Sequence, residues 1–175
     1  RDFVVLEVSS FQLETTETFA PGVAVLLNIA PDHLDRYPDI AAYAAAKERI
    51  FLRMGKGDTA IVNVDDPLAR EAFERIPPGV RRVGIRSDDS TWAGLAPRFG
   101  NIPEENLRAA AAAAEAVGTS REKIREAIST FEPLAHRLEI VAEVGGVRFF
   151  NDSKATNFHA VAFAIRTTPR PIVLL

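Results

Sequence analysis

The chain has 175 residues, 47% hydrophobic and 26% charged, and its 21 basic and 24 acidic side chains leave a formal charge of −3. That is the composition of a folded globular protein, and it excludes collagen, long disorder and low-complexity polymer. A surface so near neutrality exerts no general pull on nucleic acid or acidic membranes, and without cysteine neither disulfides nor thiolate metal sites can form.

No apolar run reaches the length of a membrane-crossing helix, so a cytoplasmic location with no membrane and no nucleic-acid partner is expected. Phe3-Val4-Val5-Leu6 opens the chain as a strand, and residues 171–175 close it as another. A domain seldom begins and ends inside its own sheet, where unpaired backbone would be exposed, so a fragment is expected.

In chain order, residues 2–8 are apolar until Glu7, as in a strand covered on both faces of a parallel sheet. A second such run, residues 23–29, follows the Pro21-Gly22 turn and gives way to Pro31-Asp32-His33-Leu34-Asp35-Arg36. Residues 40–54 then place Ile40, Tyr43, Ala44, Lys47, Ile50, Phe51 and Met54 along one helix face, closed by Gly55 and Gly57. Residues 59–64 predict a third strand, Asp66 and Pro67 the cap and first position of a short helix, and residues 80–85 a fourth strand.

Residues 86–103, rich in Asp, Ser, Gly and Pro, predict loop. An alanine-rich helix over 104–117 ends at Gly118, and a second helix starts at Ser120 and runs to about Phe131. The pattern changes at Pro133, where a domain boundary is expected between residues 1–132 and 133–175. Gly145-Gly146 between residues 137–143 and 147–150 is a hairpin signal. The polar run Asn151-Asp152-Ser153-Lys154-Ala155-Thr156-Asn157 leads into a helix reaching about Arg166, with Ser153 or Thr156 as its cap. Alternating strands and helices indicate an α/β fold with a mostly parallel sheet, whose ligands gather at the carboxyl ends of the strands.

Those ends carry the chemistry. Glu7 and His33 follow predicted strands, and Lys47 lies in an apolar helix face, so the three can converge. A carboxylate and an imidazole suit a divalent cation that handles phosphate. Singly, each has a plainer reading: Glu7 as a solvated strand cap, residues 32–35 as turn chemistry around Pro31, and Lys47 as a lysine reaching to the surface. A lysine taken out of water favours its neutral amine, which can react with a carbonyl compound or with carbon dioxide, and the carbamate from the latter could bind a metal. In the 151–157 run, Lys154 and the following helix start would attract an anion. His136-Arg137 is a weaker candidate, and His159 reads as structural. No stretch fits G-x-x-x-x-G-K-[ST], since Gly55-Lys56 is followed by Gly57, and no G-x-G-x-x-G follows a strand.

Taken together these motifs resemble the Mur ligases, most closely their D-glutamate-adding branch. The resemblance rests on Glu7-Val8-Ser9-Ser10-Phe11-Gln12-Leu13-Glu14, residues 28–38 (Asn28 to Pro38), Ala45-Ala46-Lys47-Glu48-Arg49-Ile50, Asn63-Val64-Asp65-Asp66, residues 133–139 and residues 151–157, in that order. It implies a phosphate-loop NTPase-like central ATP-binding domain lacking its phosphate loop, followed by the start of a Rossmann-like C-terminal domain. The missing phosphate loop and a UDP-binding domain are expected before Arg1, and further C-terminal residues after Leu175. The implied reaction activates UDP-N-acetylmuramoyl-L-alanine with ATP as an acyl phosphate that D-glutamate then attacks, in the synthesis of peptidoglycan for the dividing cell.

By the same resemblance Glu7 and His33 are magnesium ligands, and Lys47, carbamoylated, helps to position a second magnesium. Asn106 meets the adenine, Arg137 the phosphates and Asp152 the ribose, while Lys154 and Thr156 lie near the incoming D-glutamate. Ile102-Pro103 stand where the family usually carries a His-Asn pair before this Asn, and the stretch from Asp66 to Asn106 is shorter than the family pattern. The complete enzyme is expected to be a monomer and the isolated chain inactive. The alternatives are another Mur-type ligase, a folylpolyglutamate synthetase, against which Ser9-Ser10-Phe11-Gln12 argues, and a non-catalytic nucleotide-binding module.

Overall fold

The computed structural model describes residues 3–95, 102–132 and 134–175, with the side chain of His159 outside the description. Pro133, where the sequence places its domain boundary, therefore lies outside the described residues. The elements in chain order are α1 (Ser10–Glu14), β1 (Val23–Leu26), α2 (Ile40–Glu48) running into a 3-10 turn (Arg49–Phe51), β2 (Thr59–Asn63), α3 (Pro67–Glu74), β3 (Arg81–Ile85), α4 (Glu104–Ala116), α5 (Arg121–Thr130), β4 (Glu139–Val144), β5 (Val147–Asn151) and α6 (Phe158–Thr167).

Strands β1, β2 and β3 form a parallel sheet with β2 in the middle, in register Val23–Thr59 and Thr59–Arg81. The middle strand explains the layering, because successive side chains alternate between the two faces. Ala60 and Val62 face a core built with Tyr43, Ala44 and Ala46 of α2 and Ala69 and Ala72 of α3. Ile61 faces the other way, onto Ala109 and Ala112 of α4. Ile61 and Val62 are fully buried, worth about 1.5–3 kcal/mol each in removed apolar surface. Alanine on the sheet-facing side of α4 lets the helix lie close, and Leu107 and Ala111 turn outward to Trp92, Leu95 and Ile124 beneath α5.

Local chemistry sets most boundaries as expected. The Asp66 carboxylate accepts from the Ala69 N–H at 2.8 Å with Pro67 in the first turn, and Ser120 caps α5. Gly57 and Gly118 take φ of 100° and 92°, a backbone that side chains rarely adopt. Strands β4 and β5 pair antiparallel, with Val144 opposite Val147. The two residues between, Gly145 and Gly146, have φ of 59° and 78°, as a type I′ turn requires.

Four expectations are corrected. Residues 3–9 form no strand, and Phe3, Val4, Val5 and Leu6 stand 58%, 83%, 95% and 62% exposed. Residues 171–175 likewise form none, with Val173 87% exposed. A strand exists only through hydrogen bonds to a neighbour, and no described strand lies beside either run. The helix at 40–54 ends sooner, at Glu48, and tightens into the 3-10 turn before Gly55. The cap of α6 is Asn157, whose side chain accepts from the Ala160 N–H at 3.0 Å, rather than Ser153 or Thr156. A short helix not expected, α1, begins at Ser9 with a reciprocal cap: the Gln12 N–H donates to Ser9 Oγ and the Ser9 N–H to Gln12 Oε1.

Candidate active site

Glu7, His33 and Lys47 line one cleft of about 420 Å³ together with Ser9, Gln12 and Tyr43. They come from the segment before α1, the turn after β1 and the last turn of α2, which the core beneath them holds together. The three groups that the sequence allows to converge therefore do converge. Glu7 and His33 are exposed and Lys47 is half-buried, so the cleft is open to a ligand.

His33 has φ of 53°, in the left-handed region that a non-glycine residue enters only when its surroundings hold it there. Its N–H donates to Asp32 Oδ1 at 2.9 Å, and its carbonyl accepts from the Arg36 and Tyr37 N–H groups at 3.0 and 3.1 Å. The imidazole packs against Phe11 at 4.8 Å between centroids and meets Tyr43 edge-on at 6.2 Å. Tyr43 is buried, and the Lys47 ammonium rests 4.8 Å from the centre of its ring. A charge over the face of an aromatic ring is favoured by the ring's quadrupole, so Tyr43 sets where Lys47 Nζ sits.

The surrounding charges hold this wall in place. The Arg36 guanidinium donates to Glu14 at 2.5 Å, which keeps the Glu14 carboxyl below its usual range and the guanidinium above its own. Burial pushes the neighbouring Tyr37 phenol up. Arg49 donates to the carbonyls of Leu13 and Thr16 at 2.7 and 2.8 Å, pinning the carboxyl end of α1 to the end of α2.

Among the described residues no three His, Cys, Asp or Glu side chains lie close enough to hold a metal ion. Glu7 and His33 supply two donors, and a hard divalent cation that prefers oxygen needs more. A carbamate on Lys47 would bring carboxylate oxygens to the same cleft, so the donor set fits such a cation on that condition.

The remaining candidates fall in two further places. Arg137 is exposed at a turn between His136 and Leu138, which take φ of 69° and 46°. Asp152 Oδ1 accepts from the Leu138 N–H at 3.0 Å, and the Lys154 N–H donates to the His136 carbonyl at 3.1 Å, so Arg137, Asp152 and Lys154 share one neighbourhood. The Thr156 N–H closes a tight turn onto the Lys154 carbonyl at 3.0 Å. This loop reaches the first site: Asn157 Nδ2 donates at 3.3 Å to Oδ2 of Asp32, the residue before His33. Asn106 stands apart from both, half-buried in the first turn of α4.

Against the first turn of α4 lies a second cleft of about 380 Å³ at the carboxyl edge of the sheet, lined by Asn28, Asn63, Asp65, Ser87, Glu105 and Arg108 among others, while Asn106 in that turn is not among its lining residues. Sequence reasoning gave Arg108 no part in it, although a charge inside an alanine-rich helix face was the signal to follow. The Ser87 N–H donates to Asp65 Oδ2 at 2.6 Å and holds the Asp65 carboxyl below its usual range.

With this geometry in hand, residues 1–114 match the Mur ligase middle domain. The chain belongs to the Mur ligase family. It is similar to the UDP-N-acetylmuramoylalanine–D-glutamate ligase of Acidobacterium capsulatum, with 44% identity over 195 residues covering 98% of this chain and 42% of that protein. Its likeness to the protein of the same name from Pelotomaculum thermopropionicum is 44% over 201 residues, 99% of this chain and 43% of that one. The chain thus spans less than half the length of these relatives. Among solved structures, MurF from Acinetobacter baumannii superposes with a TM-score of 0.67 at 22% identity over 83% of this chain and 36% of its own, which bears on the Mur ligase fold alone. E. coli FolC in complex with DHPP and ADP superposes with a TM-score of 0.61 at 25% identity over 86% of this chain and 39% of its own. The α/β class with a parallel sheet, expected from the sequence, is the fold observed, and it is shared with MurF. No helix among the described residues is long and apolar enough to cross a membrane.

Proposed function

We propose that the full-length protein carrying this chain is an ATP- and magnesium-dependent ligase that joins D-glutamate to UDP-N-acetylmuramoyl-L-alanine in peptidoglycan synthesis. The observation that carries this reading is the meeting of Glu7, His33 and Lys47 in one cleft from three separate segments. The names of the relatives supply the substrates, and the ADP of the FolC complex supports the use of a nucleotide.

In this reading a carboxylate oxygen of the muramoyl peptide displaces ADP from the γ-phosphorus of ATP to give an acyl phosphate. The D-glutamate nitrogen then attacks the acyl carbon, loses its proton, and expels phosphate. Glu7 and His33 would hold magnesium, and Lys47 as its carbamate would help to hold a second. When bound, the metal supplies positive charge against the transferring phosphoryl group. A carbamate there would add the oxygens that the two other donors lack, and the Tyr43 ring sets where the Lys47 ammonium sits.

Asn106 would contact the adenine, Arg137 the phosphates and Asp152 the ribose. Lys154 and Thr156 would face the incoming amino acid. Arg137 presents its cation on a turn pinned by Asp152, and the Asn157–Asp32 bond ties that turn's loop to the metal side. A monomer with residues 1–132 and 133–175 in separate domains, acting in the cytoplasm, completes the reading.

In the full-length protein, Lys47→Ala is expected to lower D-glutamate-dependent ADP release by about a hundredfold or more, with partial recovery on adding short carboxylates. Undiminished turnover would remove Lys47 from the reaction. Phosphate release with other amino acids in place of D-glutamate would favour a folylpolyglutamate-type ligase. Binding of magnesium-ATP without any amino-acid-dependent turnover would favour a non-catalytic nucleotide-binding module.

A further inference from the structure

Arg108 is the one charged residue buried among the described residues, 5% exposed within the alanine-rich face of α4. Burying a guanidinium is costly unless its donors are occupied, and here they are gathered onto one turn. It donates to the carbonyls of Arg86 at 3.0 Å and Ser87 at 3.1 Å, to that of Asp89, and to Glu104 Oε1 at 2.7 Å one helical turn back. Its Nε has no partner. An alanine there would serve the helix packing as its neighbours do, so the guanidinium is placed for the turn and not for the core.

What it joins matters. Residues 86–89 follow β3, and Glu104 opens the helix that carries Asn106, two residues before Arg108 itself. The Asp65 carboxylate holds the same turn from the β2 side through the Ser87 N–H. The wall of the second cleft is thus fastened twice, and the first turn of α4 is fastened to it by Arg108 alone among the side chains of its helix that reach residues 86–89. A planar fork spreads five donors over three nitrogens and here serves four acceptors from two of them, whereas a lysine has three donors on a single nitrogen.

We propose that Arg108 is a positioning residue for the nucleotide base: by locking the first turn of α4 to the turn after β3, it fixes where Asn106 stands at the carboxyl edge of the sheet. This rests on the reading of Asn106 as the base contact. Small displacements of a binding group weaken the contact it makes without altering chemistry elsewhere.

The experiment compares Arg108→Lys and Asn106→Ala in the full-length ligase, measuring KM and kcat with ATP, with ITP and with D-glutamate. Arg108→Lys is expected to raise KM for ATP by about tenfold and to narrow the preference for ATP over ITP, with kcat and the KM for D-glutamate unchanged. Asn106→Ala should do the same. If Asn106→Ala raises KM for ATP and Arg108→Lys does not, the positioning role is overturned and the base contact stands. If Asn106→Ala leaves KM for ATP unmoved, the base contact itself fails and the proposal with it. A fall in kcat and a rise in every KM together, with a lowered melting temperature, would reduce Arg108 to a structural role. Should Arg108→Lys not fold, Glu104→Ala, which removes the acceptor in the first turn of α4, replaces it, and a KM for ATP and ATP-over-ITP preference equal to wild type in that variant overturns the proposal.

Discussion

The backbone of His33 separates two demands that one residue meets at once. Its φ of 53° costs about 1 kcal/mol in an ordinary side chain, whereas asparagine tolerates this region because its short amide can bond locally. His33→Asn is therefore expected to melt close to the parent, and His33→Ala to be less stable by about 1 kcal/mol, as measured by thermal unfolding. Both should lose the proposed metal-dependent turnover in the full-length protein if the imidazole is a ligand. Equal stability of the two variants would mean that the turn imposes no conformational demand. Asp65 gives a second test at this scale. The Ser87 N–H favours its charged form, so its pKa in the folded protein lies below the value in the unfolded chain. A carboxyl shifted down stabilises the fold above its unfolded pKa, and that stability is lost as pH falls through the folded value. Between neutral pH and about pH 3, the melting temperature of the parent should accordingly fall further than that of Asp65→Asn. Parallel acid limbs would show that the bond contributes nothing.

The middle strand and the helix that follows it carry the element-scale tests. Ile61 is fully buried between Val23, Val25 and the alanines of α4, which are too small to close a void, so Ile61→Ala should cost about 3 kcal/mol. Asp66→Ala removes the cap of α3 and should cost about 1 kcal/mol, since Pro67 has no N–H to lose and the Ala69 N–H is the donor left unpaired. Chemical denaturation of each variant checks both, and an Ile61→Ala cost below that of Asp66→Ala would mean that the core around β2 closes over the void. These were also the legible elements. Caps, paired glycines and apolar runs act through neighbours in sequence, so β2, α3, α5 and the β4–β5 hairpin could be read from residues alone. The short helix α1 was legible in principle, as Ser9-x-x-Gln12 is a capping-box signature, but its few residues show no periodicity. Residues 3–8 and 171–175 were not, because apolar composition says a segment can be a strand while only a partner makes it one. The convergence of His33 and Lys47 was legible from the end of β1 and a helix face, whereas Glu7 reaches the cleft from an apolar run that forms no strand. The ring under Lys47 and the carbonyls around Arg108 were not, since both depend on contacts that no local pattern encodes.

At the scale of the whole molecule, two features bear on what this length of chain can do alone. The cleft holding Glu7, His33 and Lys47 draws all its lining residues from the first 47, held over the core that β2 and α3 complete. The triphosphate, in contrast, requires a cradle of backbone N–H groups and a lysine that no stretch of these 175 residues spells out, since Gly55-Lys56-Gly57 lacks the hydroxyl-bearing residue. Metal donors without that cradle leave the γ-phosphorus free to rotate, and in-line transfer depends on holding it. Offered UDP-N-acetylmuramoyl-L-alanine, D-glutamate and magnesium-ATP, the 175-residue chain should release no ADP above the uncatalysed background, whereas the full-length protein should turn over. Phe3, Val4, Val5 and Leu6 are exposed in the chain, so it should also bind a hydrophobic dye more strongly per molecule than the full-length protein, where a neighbouring strand would cover them. Measurable ADP release by the chain alone would mean that the phosphates are held by residues described here, with Arg137 and Lys154 the first to substitute. Equal dye binding would mean that residues 3–6 stay uncovered in the complete molecule and that Glu7, directly after them, is not anchored by a sheet.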